Sequence, residues 1–185
     1  KNNVVGVATC DMGRLKDGSE GPNFEQGIEL RAQQTLFSEG CRGHLGKILV
    51  NKFKLNAHSS PQTYGIGIKE LWEVDPKKSK PGSIMHTTGW PLKSDTYGGS
   101  FLYHLDNNKV SIGFVIGLDY KNPYLSPYME FQRFKHHPEI KKILVGGRRI
   151  KYAASALNAC GVQSFPPPTS RGGLPSGCDA TFPIF

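Results

Sequence analysis

Between Tyr64 and Val74 the chain alternates. Tyr64, Ile66, Ile68, Trp72 and Val74 share one side, and Glu70 is the charged exception in that row. A period of two sends successive side chains to opposite faces, so 64–74 predicts a long strand. Val4 to Thr9 predicts a short strand, and 29–38 leads into another that ends in Thr35, Leu36 and Phe37. Strand character returns at 84–90, 100–105 and 110–119, with Asp106-Asn107-Asn108 as the hairpin turn between the last two. Residues 11–22, with Lys16-Asp17-Gly18-Ser19, and 75–82, with two prolines and three lysines, predict turns at the surface.

The period changes to helical in two places. Leu45, Ile48, Leu49 and Phe53 predict one buried helix face, directly after the glycine-containing turn 39–43. From Pro127 to His136 a helix is predicted with Tyr128, Phe131 and Phe134 inward and Glu130, Arg133 and Lys135 outward. A shorter one follows at 138–145, with Pro138 suited to its first turn. Beyond about residue 163 the chain turns loop-like, through Pro166-Pro167-Pro168-Thr169-Ser170-Arg171-Gly172-Gly173. The expected fold class is therefore α/β to α+β: an antiparallel-rich sheet with flanking helices and no internal repeat.

Composition narrows the picture. The 185 residues are 37% hydrophobic and 21% charged, the balance of an ordinary globular domain. The 23 lysines and arginines exceed the 15 acidic residues and give a net charge of +8, which favours an acidic partner. The basic residues are scattered apart from 77–80 and 141–149, so nucleic-acid binding is not expected. No run has the length of a bilayer span. The chain opens without Met, as if mid-element, and neither end has the pattern of a signal or transit peptide, so it is expected to be a fragment. Cys10, Cys41, Cys160 and Cys178 have no CxxC spacing, so no zinc site and no iron–sulfur ligation is expected among them.

Two places are candidates for chemistry. Gly98-Gly99 interrupts a strand whose Tyr97, Phe101 and Tyr103 alternate around the pair. Such glycines mark either a bend in the sheet or close approach of a ligand to bare backbone. The strand–turn–helix around Glu39, Gly40 and Gly43 puts free N–H groups and a helix dipole where an anion is favoured. It is not a G-x-G-x-x-G fingerprint, and none occurs in the chain. The adjacent His136 and His137 point in different directions on a helix and do not share a metal. His44 and His104 are isolated candidates for ligand contact. No G-x-S-x-G occurs, and no catalytic nucleophile or acid–base group is identified.

The run Met85-His86-Thr87-Thr88-Gly89-Trp90-Pro91-Leu92, the stretch from Thr96 to His104, Glu39-Gly40-Cys41-Arg42-Gly43-His44-Leu45 and the stretch from Leu118 to Pro127 together resemble the electron transfer flavoprotein–ubiquinone oxidoreductase family. The resemblance extends from about residue 3 to about residue 163. It implies a central fragment of a longer enzyme: 1–62 part of an FAD-binding domain, 63–150 a ubiquinone-binding region, 151–185 a return toward the FAD domain. It implies FAD contacts at Glu39, Gly40 and Gly43, and ubiquinone contacts at Gly98 and Gly99. Pro175 and Ser176 depart from the family's pattern, which puts a further flavin contact at Gly177-Cys178 in doubt. The implied reaction carries electrons from reduced electron transfer flavoprotein through FAD and a [4Fe-4S] cluster, whose ligands lie outside this chain, to ubiquinone. The implied place is the matrix face of the mitochondrial inner membrane, held peripherally through segments not in this chain. Two other readings stand beside it: an inactive truncated fragment or basic binding module without flavin, and another member of the wider flavoprotein reductase group. The absent dinucleotide fingerprint predicts low FAD affinity for the chain alone, and the long specific run from Tyr64 to His137 speaks against the third reading.

Overall fold

The period-two run folds as expected, into a ten-residue strand at the heart of a sheet. A computed structural model of the chain describes residues 3–159, 161–164 and 172–176. In chain order the elements are β1 (Gly6–Ala8), β2 (Met12–Arg14), β3 (Glu20–Glu25), β4 (Glu29–Arg31), β5 (Thr35–Phe37), α1 (His44–Phe53) and β6 (Tyr64–Glu73). There follow β7 (Ile84–Thr88), β8 (Gly98–Leu105), β9 (Lys109–Gly117), α2 (Pro127–Lys135), α3 (Pro138–Leu144), β10 (Arg148–Asn158) and β11 (Gly173–Pro175). The chain divides into two compact units, 61–160 and the remainder.

In the unit 61–160 the sheet order is β10-β6-β9-β8-β7, antiparallel throughout. The core is read directly from β9. Val110, Ile112, Phe114 and Ile116 occupy alternate positions and are all at most 1% exposed. Their face is covered by α2 and α3, whose Phe131, Phe134, Ile140 and Leu144 join the same cluster. Phe114 stacks between Phe131 and Phe134, with ring centroids 6.3 and 5.3 Å away. The β8–β9 hairpin turns on Asn107 and Asn108, both at positive φ, the backbone of a two-residue turn whose twist suits the flanking strands. Both helices start on prolines behind capping side chains. Ser126 Oγ accepts from the Met129 N–H, and His137 Nδ1 accepts from the Glu139 N–H.

Three expectations need correction here. Lys135 does not point outward: it turns inward onto Glu70, whereas Tyr128, expected inside, is 54% exposed. His137, expected on a helix beside His136, instead caps α3 and packs against the Trp90 ring. The eleven-residue β10 lies where no strand is predicted. Its middle, Tyr152-Ala153-Ala154-Ser155-Ala156, lacks the β-branched residues that advertise a strand. Pairing with β6 along ten positions holds it extended regardless.

The other unit is built of short two-stranded pieces: β1 with β4, β2 with β3, and the parallel pair β5 and β11. The expected strand at 29–38 splits into β4 and β5. Of the helix face expected to be buried, Leu49 is buried, but Ile48 is 59% exposed and Leu45 is exposed as well. Gly177-Cys178 lies outside the described residues.

Candidate functional site

Strand β8 separates two kinds of surface. Ser100, Leu102 and His104 face the helices and are buried. On the opposite face, residues 97, 99, 101 and 103 form a row in which Gly99 leaves a gap between the Tyr97 and Phe101 rings. Tyr97 is 71% exposed. Phe101 stacks on Tyr103 at 4.8 Å, and it lies over Gly113 of β9, where a Cβ would come within 2.3 Å of the ring. The row ends on β7, where His86 Nε2 and the Tyr103 hydroxyl are 3.3 Å apart and their rings meet edge-on. The result is an aromatic shelf with a notch of bare backbone at Gly99.

The glycines at the notch also have structural reasons. A Cβ on Gly98 would lie 2.4 Å from Leu92 Cδ1 and 2.5 Å from the Val115 carbonyl oxygen. One on Gly99 would lie 2.7 Å from the Thr87 carbonyl oxygen. Contacts under 3 Å to backbone cannot be relieved by a side-chain rotation. Beside the notch, Thr63, Tyr64, Tyr97, Gly117, Asp119 and Ala159 line a shallow hollow of about 90 Å³. On the buried side the Thr87 and Ser100 hydroxyls bond each other at 2.5 Å.

His104 is at the far end of β8 from Gly98 and does not face the notch. Its Nδ1 accepts the Lys80 N–H at 3.2 Å, and its backbone bonds Ser83 and Gly82, so it pins the lysine-rich turn. Burial and the nearby Lys80 charge hold its pKa below the ordinary histidine value.

Behind the sheet lies an ion cluster that composition alone does not reveal. Glu70, 3% exposed, accepts from Lys135 Nζ at 2.9 and 3.0 Å, Arg149 at 3.0 Å and Trp72 Nε1 at 2.7 Å. Burial pushes the Glu70 carboxyl up, but the hydrogen bonds from Lys135, Trp72 and Arg149 outweigh it and hold the pKa below the usual carboxylate value. The cluster fastens α2 and β10 to β6. Its sequence signal was the acid that breaks an apolar period-two row, which makes sense once a partner neutralises it.

In the other unit, Glu39, Gly40 and Gly43 are brought together at the start of α1. The Gly46 N–H donates to Glu39 Oε2 at 2.7 Å, and a Cβ on Gly43 would collide with the Glu39 side chain. The helix start expected to receive an external anion therefore receives an internal carboxylate. Gly40 is different: it sits at φ +90° with open space where a Cβ would project. The imidazole of His44 is exposed on the first turn of α1. No cluster of three or more metal-ligating side chains exists among the described residues, and Cys10 is a free thiol. No helix among them is long and apolar enough to cross a membrane.

Comparison with known proteins agrees with the sheet-bearing unit. The family model described as "ETF-QO, ubiquinone-binding" matches residues 64–157. The chain is 59% identical over 181 residues to the mitochondrial electron transfer flavoprotein–ubiquinone oxidoreductase of Sus scrofa and 58% identical to that of Homo sapiens. It is 51% identical to the protein of that name from Pseudomonas aeruginosa. These matches take in 97% of this chain but 29%, 29% and 33% of the relatives, so the chain spans about a third of their length or less. Among solved structures, a geranylgeranyl bacteriochlorophyll reductase-like protein from Thermoplasma acidophilum aligns with a TM-score of 0.61 at 15% identity, covering 97% of this chain and 39% of that one. A flavoprotein/dehydrogenase from Cytophaga hutchinsonii aligns with a TM-score of 0.51 at 16% identity, covering 89% and 39%. At such identities these two show a shared fold.

Proposed function

Because the chain belongs to the electron transfer flavoprotein–ubiquinone oxidoreductase family, we propose that it serves as the segment of such an enzyme in which ubiquinone is held and reduced. The observation that carries this reading is a coincidence of place. The family match at 64–157 falls on the sheet that carries the notched aromatic shelf. A quinone is a flat ring with a carbonyl at each end, so it calls for aromatic or apolar walls and a polar contact at its edge. Tyr97 and Phe101 supply the walls, and the backbone of Gly98 and Gly99 supplies the edge.

In this reading residues 63–150, with β10 completing their sheet to Asn158, are the ubiquinone-binding region, and 1–62 and the chain after β10 belong to an FAD-binding domain. Glu39, Gly40 and Gly43 contact FAD. The open, positive-φ backbone of Gly40 fits close approach of a ligand, whereas the Glu39 carboxylate on the α1 N-terminus does not fit a phosphate there. The contact is thus to the hydroxyl-bearing or ring portion of the cofactor. Bound FAD supplies two-electron storage, and the protein's part is to hold and orient. A [4Fe-4S] cluster has no ligand set among the described residues, so no step is assigned to it here. The electron donor is reduced electron transfer flavoprotein, and the site of action is the matrix face of the mitochondrial inner membrane, with peripheral attachment through other segments.

The test is made on the full-length protein containing this chain. A yellow preparation that reduces ubiquinone with electron transfer flavoprotein as donor supports the proposal. A flavin-free protein with no quinone reductase activity refutes it in favour of an inactive binding module.

A further inference from the structure

Reduction of a quinone needs protons as well as electrons, and the shelf contains a titratable pair in position to give one. We propose that His86, hydrogen-bonded to Tyr103, is the proton donor to the ubiquinone carbonyl that points away from Gly98 and Gly99. The inference rests on the reading of that glycine pair as the headgroup contact.

Gly99 pairs with Thr88, and Phe101 pairs with His86, so His86 is one two-residue step along the ladder from the notch. That step is about 6.7 Å, longer than the distance between the two carbonyl oxygens across a quinone ring, so the far oxygen falls short of a side chain one step along and is within its reach. A headgroup with one carbonyl at the glycines therefore brings the other near Phe101 and His86. The ring itself rests against Phe101, which Gly113 allows to lie flat over β9. His86 is exposed, so its imidazole is refilled with protons from water.

The pairing with Tyr103 gives the imidazole a fixed direction. Nε2 meets the phenol at 3.3 Å with the rings edge-on, which leaves Nδ1 as the other ring nitrogen for a ligand or water. Tyr103 is the titratable group that hydrogen-bonds the His86 imidazole and meets its ring. The other candidates near the notch are less suited. The Thr87 and Ser100 hydroxyls bond each other on the buried face, and His104 is at the opposite end of the strand.

The chemistry balances simply. The quinone takes two electrons, which come from the reduced flavin of the proposed function, and two protons. One carbonyl oxygen forms its O–H bond as a His86 N–H bond breaks, and the neutral imidazole regains a proton from water. The second oxygen takes its proton from water at the glycine end.

The test compares wild type, His86→Gln and Tyr103→Phe in the full-length flavoprotein, following quinol formation against pH and, separately, flavin reduction by the donor protein. A histidine donor predicts that the wild-type quinone reduction rate falls, with an inflexion, as pH rises and the donor loses its proton. His86→Gln loses that inflexion and slows quinol formation by about 10²-fold, while flavin reduction is unchanged. Tyr103→Phe, which keeps the imidazole, keeps the inflexion. If His86→Gln retains the inflexion and a rate within twofold of wild type, the proposal is wrong. Labelling with a photoreactive ubiquinone separates the two layers. Label on residues 97–103 with an unaffected His86→Gln overturns the proton donor alone, and label on peptides elsewhere overturns the glycine reading and the donor together.

Discussion

Removing the Glu70 carboxylate is the most informative single perturbation of the sheet that carries the shelf. Its three partners differ in what they lose. The Lys135 side chain is 12% exposed, so its ammonium would be left almost buried without a counter-charge. The half-buried Trp72 N–H would lose its acceptor, at about 1–3 kcal/mol. Arg149, 42% exposed, can turn to water and loses about 0–1 kcal/mol. Breaking a buried pair on one side costs about 3–5 kcal/mol. Glu70→Ala should therefore lower the local stability of α2 and β10 by that amount, Glu70→Gln by less, and Arg149→Ala by least. Amide hydrogen exchange of the full-length protein reads this directly, because about 1.4 kcal/mol is a tenfold change in the opening equilibrium. Exchange in α2 and β10 should speed up by roughly two to three and a half powers of ten in Glu70→Ala. The double variant Glu70→Leu with Lys135→Met, which removes both charges and keeps the volume, should recover most of the loss. Equal effects of Arg149→Ala and Glu70→Ala, or a double variant no better than Glu70→Ala, would refute the reasoning.

Other outcomes follow from the same structure. Phe114→Ala removes the ring stacked between Phe131 and Phe134 and should cost about 3–5 kcal/mol by denaturant titration, with little recovery from relaxation in so dense a cluster. Gly98→Ala should destabilise by about 1–3 kcal/mol, and Leu92→Ala should not rescue it, since the Val115 carbonyl remains in the way; thermal melts of the single and double variants decide this. The lowered His104 pKa gives a definite sign. The unfolded chain binds the proton more readily, so stability is full above about pH 6.5 and declines as pH falls below it toward the depressed folded value. His104→Asn should flatten that slope in a pH series of melts. Glu70 behaves likewise at lower pH: its contribution is present above the ordinary carboxylate pKa and is lost as pH falls through the lowered folded value, a decline absent from Glu70→Gln.

How far the fold was legible depends on whether a residue's environment was local. The alternation in β6 and β9, the Asn-Asn turn and the Ser126-Pro127 helix start are decided within a few residues, and they appear where the pattern predicts. Lys135 was not legible, because what turns it inward is a carboxylate 65 residues away in sequence. β10 escaped because its alanines and serine have weak strand preference and its extension is imposed by β6. At the candidate site the glycine pair and the aromatics around it stood out by their spacing, but the His86–Tyr103 pair depends on a cross-strand register that no local pattern announces. The helix start at Glu39 shows the opposite limit. Its sequence marks a helix N-terminus that favours an anion, and the fold fills it with the chain's own Glu39 carboxylate.

The central claim is that the glycine notch on β8 is where ubiquinone rests. The most direct measurement is photolabelling of the full-length protein with a photoreactive ubiquinone analogue, followed by mapping of the modified peptide, with and without excess ubiquinone. Label confined to the segment 97–103 and its pairing partners on β7, and displaced by ubiquinone, is the predicted result. Displaceable label that falls outside the 64–157 sheet would contradict it.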